Sequence, residues 1–311
     1  MTRAFIFPGQ GSQAVGMGQD LAENFVEARE VFEEIDESLS QNLSKMMFEG
    51  PEDQINLTEN TQPALMAVSM AVVRVLEKQG GIDMGSACSF VAGHSLGEYS
   101  ALTAAGAFEV GQCAKLLKLR GQAMQRAVPV GQGAMAAILG LSFEEVETIA
   151  TDAGCEVAND NSVGQVVVSG SKNAVENAVA AASAQGAKRA VLLPVSAPFH
   201  CSLMEPAAGE MRAALAEAAI KAPIVPVVAN VTAAAVSDPV EIRDLLVRQV
   251  TGTVRWVDSV RWMKDQGVAQ MIELGSGKVL CGLIRRIDKD IDCKNAGTAA
   301  EIETLIEYLS S

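Results

Sequence analysis

The sequence contains little that could hold a metal ion or a covalent framework. Its two histidines and six cysteines are scattered along 311 residues without a Cys-x-x-Cys pair. Structural zinc sites and disulfide-rich domains both need such residues at short, regular spacings. We therefore expect no metal site, no disulfide framework and no other cofactor.

Long apolar runs and an excess of positive charge are also absent. No uninterrupted apolar stretch reaches the roughly 18 residues of a membrane-spanning helix, and the first eight residues lack the apolar core and cleavage site of a signal peptide. The net charge of −14 is opposite in sign to a surface that binds nucleic-acid phosphates. These absences predict a cytoplasmic protein that binds neither membranes nor nucleic acids.

The composition is that of a folded protein with a large core, since 49% of the residues are hydrophobic and 20% are charged. Predicted strands alternate with helices, which is typical of an α/β protein. Over residues 129–196 the order becomes β-α-β-β-α-β, the split unit of a ferredoxin-like domain. We predict a hydrolase-like large α/β domain with a mainly parallel sheet, formed by residues 1–128 and 197–311, and an inserted ferredoxin-like small domain at 129–196.

A candidate nucleophile lies in the segment Gly-His-Ser-Leu-Gly at residues 93–97. The segment follows an apolar, strand-like run and precedes a helix-like segment that begins near Glu98. In a nucleophile elbow, a sharp strand-to-helix turn exposes a serine hydroxyl beside the N–H groups of a helix N-terminus. Ser95 is therefore the candidate nucleophile, and an ordinary glycine-rich turn is the alternative.

A serine nucleophile needs a base, and histidine is the usual one. His94 is adjacent to Ser95, so its side chain should point away, which leaves His200 as the candidate. The group that orients the histidine is open at this point. Asp152 and Asp160 precede His200 in the order of an α/β-hydrolase, and a backbone carbonyl or an amide is the other possibility.

A predicted helix at residues 112–127 carries Arg120 among its apolar positions. An unpaired guanidinium is costly to bury. Arg120 must therefore either extend along the surface to water or bind an anion.

Further short motifs follow one another along the chain: PGQGSQ at 8–13, GHSLGEYSA at 93–101, LRG at 119–121, GAMAA at 133–137, NS at 161–162 with GQVV at 164–167, PFH at 198–200 and GSGKVL at 275–280. Together, and in this order, they closely resemble the malonyl-CoA:acyl carrier protein transacylases of bacterial type II fatty acid synthesis. The resemblance extends from about residue 3 to residue 287. One departure is Ser276, where the family more often has proline, and it affects only the stiffness of that turn.

The resemblance implies an acyltransferase with a Ser95/His200 dyad. Ser95 would attack the malonyl thioester and His200 would take its proton. The side chain of Gln10 and the backbone N–H of Leu96 would form the oxyanion hole. The backbone carbonyl of Gln249 matches the family position that orients the histidine, so no aspartate is required.

The resemblance also implies the substrates. Arg120 would pair with the free malonyl carboxylate, and holo acyl carrier protein would take the malonyl group from the serine in a ping-pong exchange. Carrier proteins are acidic, so Lys188, Arg189 and Arg286 are candidate carrier contacts. We expect a monomer.

Two other functions share some of these residues. A serine hydrolase or thioesterase would use the same elbow, but the carboxylate-binding arginine and the absence of a hydrolase-like Asp and C-terminal His disfavour it. A non-catalytic subunit that docks a carrier protein could keep the fold, but it would have no need of Ser95, His200 and Gln10.

Overall fold

The computed structural model describes residues 2–195 and 197–310. Ser196, the predicted last residue of the insertion, and the chain ends Met1 and Ser311 lie outside the described residues. None of the described helices is long and apolar enough to cross a membrane.

The strands of the described chain are β1 (Arg3–Phe7), β2 (Phe90–Gly93), β3 (Gly133–Leu139), β4 (Glu156–Ser162), β5 (Gln165–Ser171), β6 (Arg189–Leu192), β7 (Val227–Ala229), β8 (Ala234–Val236), β9 (Val254–Arg255), β10 (Gln270–Leu274) and β11 (Asp292–Ala296). Its helices are α1 (Gln19–Asn24), α2 (Val26–Leu39), α3 (Leu43–Glu49), α4 (Glu52–Ile55), α5 (Thr58–Lys78), α6 (Met84–Ala87), α7 (Leu96–Ala104), α8 (Val110–Ala127), α9 (Phe143–Ala153), α10 (Lys172–Ala184), α11 (Glu205–Glu217), α12 (Pro239–Thr251), α13 (Trp256–Asp265), α14 (Val279–Ile287) and α15 (Ala299–Ser310).

The larger sheet has the strand order β11-β10-β1-β2-β7-β8. Its pairs are parallel except at the β8 edge, where β8 runs antiparallel to β7. Successive side chains of the central strand β1 point to opposite faces, as the pleat requires. Phe5 and Phe7 pack into the core with α5, α7 and α8, whereas Ala4 and Ile6 pack with α13 and α14. Both faces of the sheet are therefore covered, as expected for parallel strands.

The smaller sheet has the order β6-β3-β5-β4-β9. Strands β3 to β6, with α9 and α10 between them, form the predicted β-α-β-β-α-β unit with antiparallel pairs. The predicted fold class, a large α/β domain with a small ferredoxin-like domain, is confirmed. The short strand β9 was not predicted. It pairs in parallel with β4 and comes from beyond residue 197, so the smaller sheet also includes a strand from the later part of the chain. The domain limits themselves stay a prediction.

Helix α5 begins earlier than its proline suggests. Proline is typical of the first turn of a helix, yet α5 begins at Thr58 and Pro63 lies inside it. The reason is tertiary packing on the first turn. Thr58, Thr61 and Gln62 are buried, and a Cβ on Gly121 of α8 would lie only 2.4 Å from Cα of Glu59. The backbone of α8 at Gly121 therefore packs directly against the first turn of α5 and stabilises the helical turn before the proline.

One disulfide bond is present among the described residues, although the scattered cysteines predicted no disulfide framework. Cys281 of α14 and Cys293 of β11 are joined by a disulfide bond. The two residues meet because β11 pairs with β10, the strand that precedes α14, and their spacing alone does not reveal this contact. The cysteines at 88, 113, 155 and 201 are free and buried.

Candidate active site

Ser95 lies in a strained turn between β2 and α7. Its backbone has φ 53° and ψ −110°, a region that residues other than glycine rarely adopt. The flanking glycines make the turn possible, since a Cβ on Gly93 would lie 1.9 Å from the carbonyl carbon and oxygen of Gly97. The Gly-x-Ser-x-Gly pattern therefore has a steric cause in this structure.

We expect Gly93→Ala to destabilise the protein by roughly 3 kcal/mol, because its new methyl group would clash with backbone atoms that cannot rotate away. Urea unfolding measures the change in the free energy of unfolding. The control is Gly209→Ala, since Gly209 lies on an exposed part of α11 with open space around its missing Cβ. That substitution should change the free energy by no more than about 1 kcal/mol, in the stabilising direction. Equal effects of the two substitutions would contradict the steric explanation.

His200 is buried beside Ser95. Its Nε2 lies 2.8 Å from Ser95 Oγ, and its Nδ1 lies 2.9 Å from the backbone carbonyl oxygen of Gln249. A carbonyl can only accept a hydrogen bond, so Nδ1 carries the proton and Nε2 is free to accept the serine proton. The carbonyl of Gln249 thus occupies the position that an aspartate fills in other triads, and neither Asp152 nor Asp160 is needed there.

The surroundings of His200 keep its ring neutral. Burial lowers its pKa to about 3, and the positive charge of Arg120 acts in the same direction. A neutral imidazole is the form that a general base requires. The lowered pKa keeps this form available in solutions more acidic than the ordinary histidine pKa of about 6.5.

We expect the pH profile of acylation to show no acid limb from His200 near pH 6.5, because the base loses its function only when the pH falls toward its lowered pKa. The measurement is the rate of acyl-enzyme formation in single turnovers between pH 4 and 8. Glu98 also titrates nearby, since burial raises its pKa to about 7. A limb that vanishes in Glu98→Gln belongs to that carboxyl, whereas a limb near pH 6.5 that persists in this variant would contradict the neutral-base assignment.

Arg120 points into the same site from α8. It is only 1% exposed, so the guanidinium does not extend to water. Nη1 donates to Gln62 Oε1 at 2.7 Å, and Nη2 donates to Gln249 Oε1 at 2.9 Å and to Ser95 Oγ at 3.1 Å. The guanidinium also lies over the ring of Tyr99, 5.6 Å from its centroid. These direct partners are uncharged, so the site holds a buried positive charge beside the serine hydroxyl.

The two predicted oxyanion donors line the same cavity. Leu96 is the first residue of α7, where backbone N–H groups have no partner within the helix. The side chain of Gln10 follows β1, and its Oε1 accepts a hydrogen bond from Thr58 Oγ1 at 3.1 Å. This bond occupies the Gln10 oxygen, so its NH2 group is the end available to donate to a ligand.

The cavity around Ser95 has a volume of about 170 Å³ and lies between the two sheets. Its polar end contains Ser95, His200 and Arg120, and strand β4 contributes Asn159 and Asn161. Gln10, Thr58, Gln62 and His94 are the other polar lining residues, and the apolar part of the lining consists of Leu96, Met124, Met135, Val167, Leu193, Val195 and Phe199. A small acyl group with a terminal charge fits this arrangement of one cationic end and an apolar wall.

Sequence reasoning missed several polar side chains of the site. Gln62 and Gln249 bind Arg120 through their side-chain oxygens, Asn161 lies 2.7 Å from His94 Nε2, and Asn230 bonds to the backbone of the elbow. Gln62 and Asn230 have no sequence pattern of their own. Asn161 belongs to one of the motifs of the family resemblance, and that resemblance indicated Gln249 for its backbone carbonyl, without its side-chain contacts.

The three candidate carrier contacts lie at one end of the smaller sheet. Arg189 of β6 pairs with Leu139 of β3, which also pairs with Gln165 of β5. Arg286 of α14 donates to Gln165 Oε1 at 2.7 Å. Lys188 and both arginines are exposed, and they are not among the described residues that line the Ser95 cavity. Within the described chain, no cluster of His, Cys, Asp or Glu could hold a metal ion.

A strand-to-helix elbow that presents a serine to a neutral histidine, set in this two-domain fold, is typical of an enzyme that transfers acyl groups. Comparison with known proteins agrees, since residues 4–301 match the acyl transferase domain family. The chain belongs to the malonyl CoA-acyl carrier protein transacylase family. The predicted family resemblance and the acyltransferase assignment are both confirmed.

The relatives are similar over nearly their whole length. The chain is 47% identical to the malonyl CoA-acyl carrier protein transacylase of Escherichia coli K12 over 288 residues, which cover 91% of this chain and 92% of that protein. It is 42% identical to that of Bacillus subtilis over 311 residues, covering 98% and 96%. The solved acyl-carrier-protein-S-malonyltransferase of Bartonella henselae is 56% identical, with a TM-score of 0.98 and full coverage of both chains. A malonyl-transacylase solved in complex with its type II polyketide synthase acyl-carrier protein is 42% identical, with a TM-score of 0.95 over 99% of this chain and 100% of that one.

Proposed function

We propose that the protein transfers a malonyl group from malonyl-CoA to the phosphopantetheine thiol of acyl carrier protein, through a malonyl ester on Ser95. The observation that carries the proposal is the buried guanidinium of Arg120, 3.1 Å from the serine oxygen that lies 2.8 Å from His200. A neutral acyl group has no anionic part that could pair with this positive charge. The names of the relatives, which include malonyl-CoA and the carrier protein, support the same substrates.

In the first half-reaction, Ser95 Oγ forms a bond to the thioester carbonyl carbon while His200 Nε2 takes the hydroxyl proton. The oxyanion accepts hydrogen bonds from the Leu96 N–H and the Gln10 NH2 group. Collapse of this intermediate breaks the C–S bond. His200 gives its proton to the leaving thiolate, and free coenzyme A departs from the malonyl enzyme.

The second half-reaction reverses these steps with a different thiol. His200 takes the proton of the phosphopantetheine thiol, and the sulfur attacks the malonyl ester of Ser95. The C–O bond breaks and His200 returns the proton to Ser95 Oγ. The malonyl carrier protein then departs. Because coenzyme A leaves before the carrier thiol reacts, the exchange is ping-pong.

Arg120 selects the acyl group in this proposal. A guanidinium binds a carboxylate through two parallel N–H bonds, and burial from water strengthens the attraction. The malonyl carboxylate would give the buried charge a directly bonded counter-ion, which Glu98, linked to Arg120 only through the Gln249 amide, does not provide. An acetyl group would leave the guanidinium without such a partner.

The exposed cations at the end of the smaller sheet, Lys188, Arg189 and Arg286, are the proposed contacts for an acidic carrier. Their charge is favourable although the chain as a whole carries −14, because association depends on the local field. All residues of the proposed mechanism come from one chain, so a monomer contains the complete site.

Initial-rate kinetics test the proposal. Malonyl-CoA and holo acyl carrier protein are varied together, and the ping-pong scheme predicts parallel lines in double-reciprocal plots. Intersecting lines would show that both substrates bind before any transfer, which contradicts the acyl-serine route. Release of free malonate at the same rate with and without the carrier would instead indicate a hydrolase.

A further inference from the structure

The backbone turn of the nucleophile elbow is strained, and the bond-making steps proposed for Ser95 and His200 do not explain what holds it. The turn that presents Ser95 has a positive φ and is held against its own strain. Such a conformation persists only when the surrounding structure fixes it at several points. The groups that fix the turn therefore determine where Ser95 Oγ lies relative to His200.

The side-chain amide of Asn230 bonds to this turn at two points, and Gln249 Nε2 donates to the Ser95 carbonyl oxygen just beyond it, at 3.0 Å. Asn230 Oδ1 accepts a hydrogen bond from the backbone N–H of Ser95 at 2.8 Å, and Asn230 Nδ2 donates to the backbone carbonyl of Gly93 at 2.7 Å. The amide thus pairs with the peptide groups on both sides of His94. Loss of the side chain would leave a donor and an acceptor of the turn without these partners.

Asn230 is itself held firmly. It is 1% exposed and follows β7, the neighbour of β2 in the larger sheet. Its backbone N–H donates to Glu98 Oε2 at 2.8 Å, and its carbonyl accepts from the N–H of Arg255 at 3.0 Å. The amide is therefore fixed to α7 and to β9 before it contacts the elbow.

We propose that Asn230 is a positioning residue for the nucleophile, whose side-chain amide holds the Ser95 turn in the conformation that brings Oγ to His200 Nε2. This inference rests on the function proposed above. In this proposal Asn230 does not contact the acyl group, whereas Arg120 binds the carboxylate of that group. Removal of Asn230 should consequently slow the chemical step for every acyl donor equally.

The first test is single-turnover acylation of Asn230→Ala by malonyl-CoA and by acetyl-CoA. We expect the rate of acylation to fall on the order of 100-fold, as for other displacements of a reacting group by about 1 Å. The KM for malonyl-CoA and the malonyl-to-acetyl rate ratio should stay within about twofold of the wild type. Sulfonylation of Ser95 by phenylmethanesulfonyl fluoride should slow in parallel, because this reagent needs neither Arg120 nor a carboxylate.

The matched control is Asn295→Ala. Asn295 of β11 also bonds through its side chain, to Glu301 Oε1 at 2.8 Å, but it lies outside the described lining of the cavity. This variant should acylate at the wild-type rate. Wild-type rates in Asn230→Ala, or a loss of malonyl preference in that variant, would overturn the positioning role.

The second test is Asn230→Asp, which remains informative if the alanine variant fails to fold. A protonated carboxyl reproduces both bonds, since its carbonyl oxygen accepts from Ser95 N–H and its O–H donates to the Gly93 carbonyl. The ionised form places an acceptor against that carbonyl. Among the described residues, Glu98 contacts residue 230 through its ionisable carboxyl, whereas Arg255 contacts it through a backbone N–H. His200 stays neutral until the pH falls toward its lowered pKa.

The rate of acylation by Asn230→Asp, relative to wild type at each pH, should therefore rise as the solution becomes more acidic. A constant ratio across the pH range would overturn the proposal. Failure of the wild-type protein to form any acyl enzyme would instead refute the proposed function, so the two failures are distinguishable.

Discussion

Replacement of Ser95 by alanine is expected to abolish malonyl transfer, with turnover lowered by roughly four or more orders of magnitude. The reason is that Ser95 Oγ is the atom that bonds to the acyl group, and the neighbouring groups cannot replace it. Gln10, Leu96 and Arg120 would still bind the substrate. Intact-protein mass after mixing with malonyl-CoA should show no malonyl adduct.

Ser100→Ala is the matched control for this substitution. Ser100 lies on the same helix, α7, is fully buried, and its hydroxyl has no hydrogen-bond partner among the described residues. Its removal should leave the adduct and the rate unchanged. A malonyl adduct on Ser95→Ala would locate the nucleophile elsewhere and contradict the proposed mechanism.

The second large effect is expected for Arg120→Ala. Acylation by malonyl-CoA should fall on the order of 100-fold or more, as for the loss of one partner of a buried, hydrogen-bonded charge pair. Acylation by acetyl-CoA should be spared by comparison, because the acetyl group has no carboxylate to bind. The measurement compares the acylation rates for the two donors in the wild type and in the variant.

Arg126→Ala controls for the loss of an arginine from α8. Arg126 is on the same helix but pairs with Glu210 in an exposed ion pair, Nη2 to Oε2 at 2.6 Å, which contributes little to stability. Its replacement should leave the ratio of the two rates unchanged. An equal fall for both donors in Arg120→Ala would show that the arginine supports the site in general and does not bind the carboxylate.

Much of the fold could be predicted because the elements carry clear periodicity. The alternation of strands and helices indicated the α/β domain, and the order of elements over residues 129–196 indicated the ferredoxin-like unit. The strands that were missed give no such signal. Strands β8 and β9 have three and two residues, and β11, Asp-Cys-Lys-Asn-Ala, is mostly polar and only partly buried. The disulfide joins α14 to this unpredicted strand, so it could not be foreseen either.

The residues of the candidate site also differ in how far the sequence alone reveals them. Ser95 follows from its glycines, and His200 follows because the chain has two histidines and the other is adjacent to the serine. Gln249 could be found only by resemblance to a family, since its contact with His200 is made by a backbone carbonyl that any residue possesses. Asn230 had no signal at all, because the neighbouring strand is what places it against the elbow.

Intact-protein mass spectrometry of the enzyme, mixed with malonyl-CoA and then with holo acyl carrier protein, is the sharpest test of the proposed acyl-serine mechanism. This mechanism predicts one malonyl adduct on the enzyme, located on Ser95, which then moves to the carrier while the enzyme returns to its original mass. An adduct that decays to free malonate without transfer, or transfer to the carrier with no adduct on the enzyme, would contradict it.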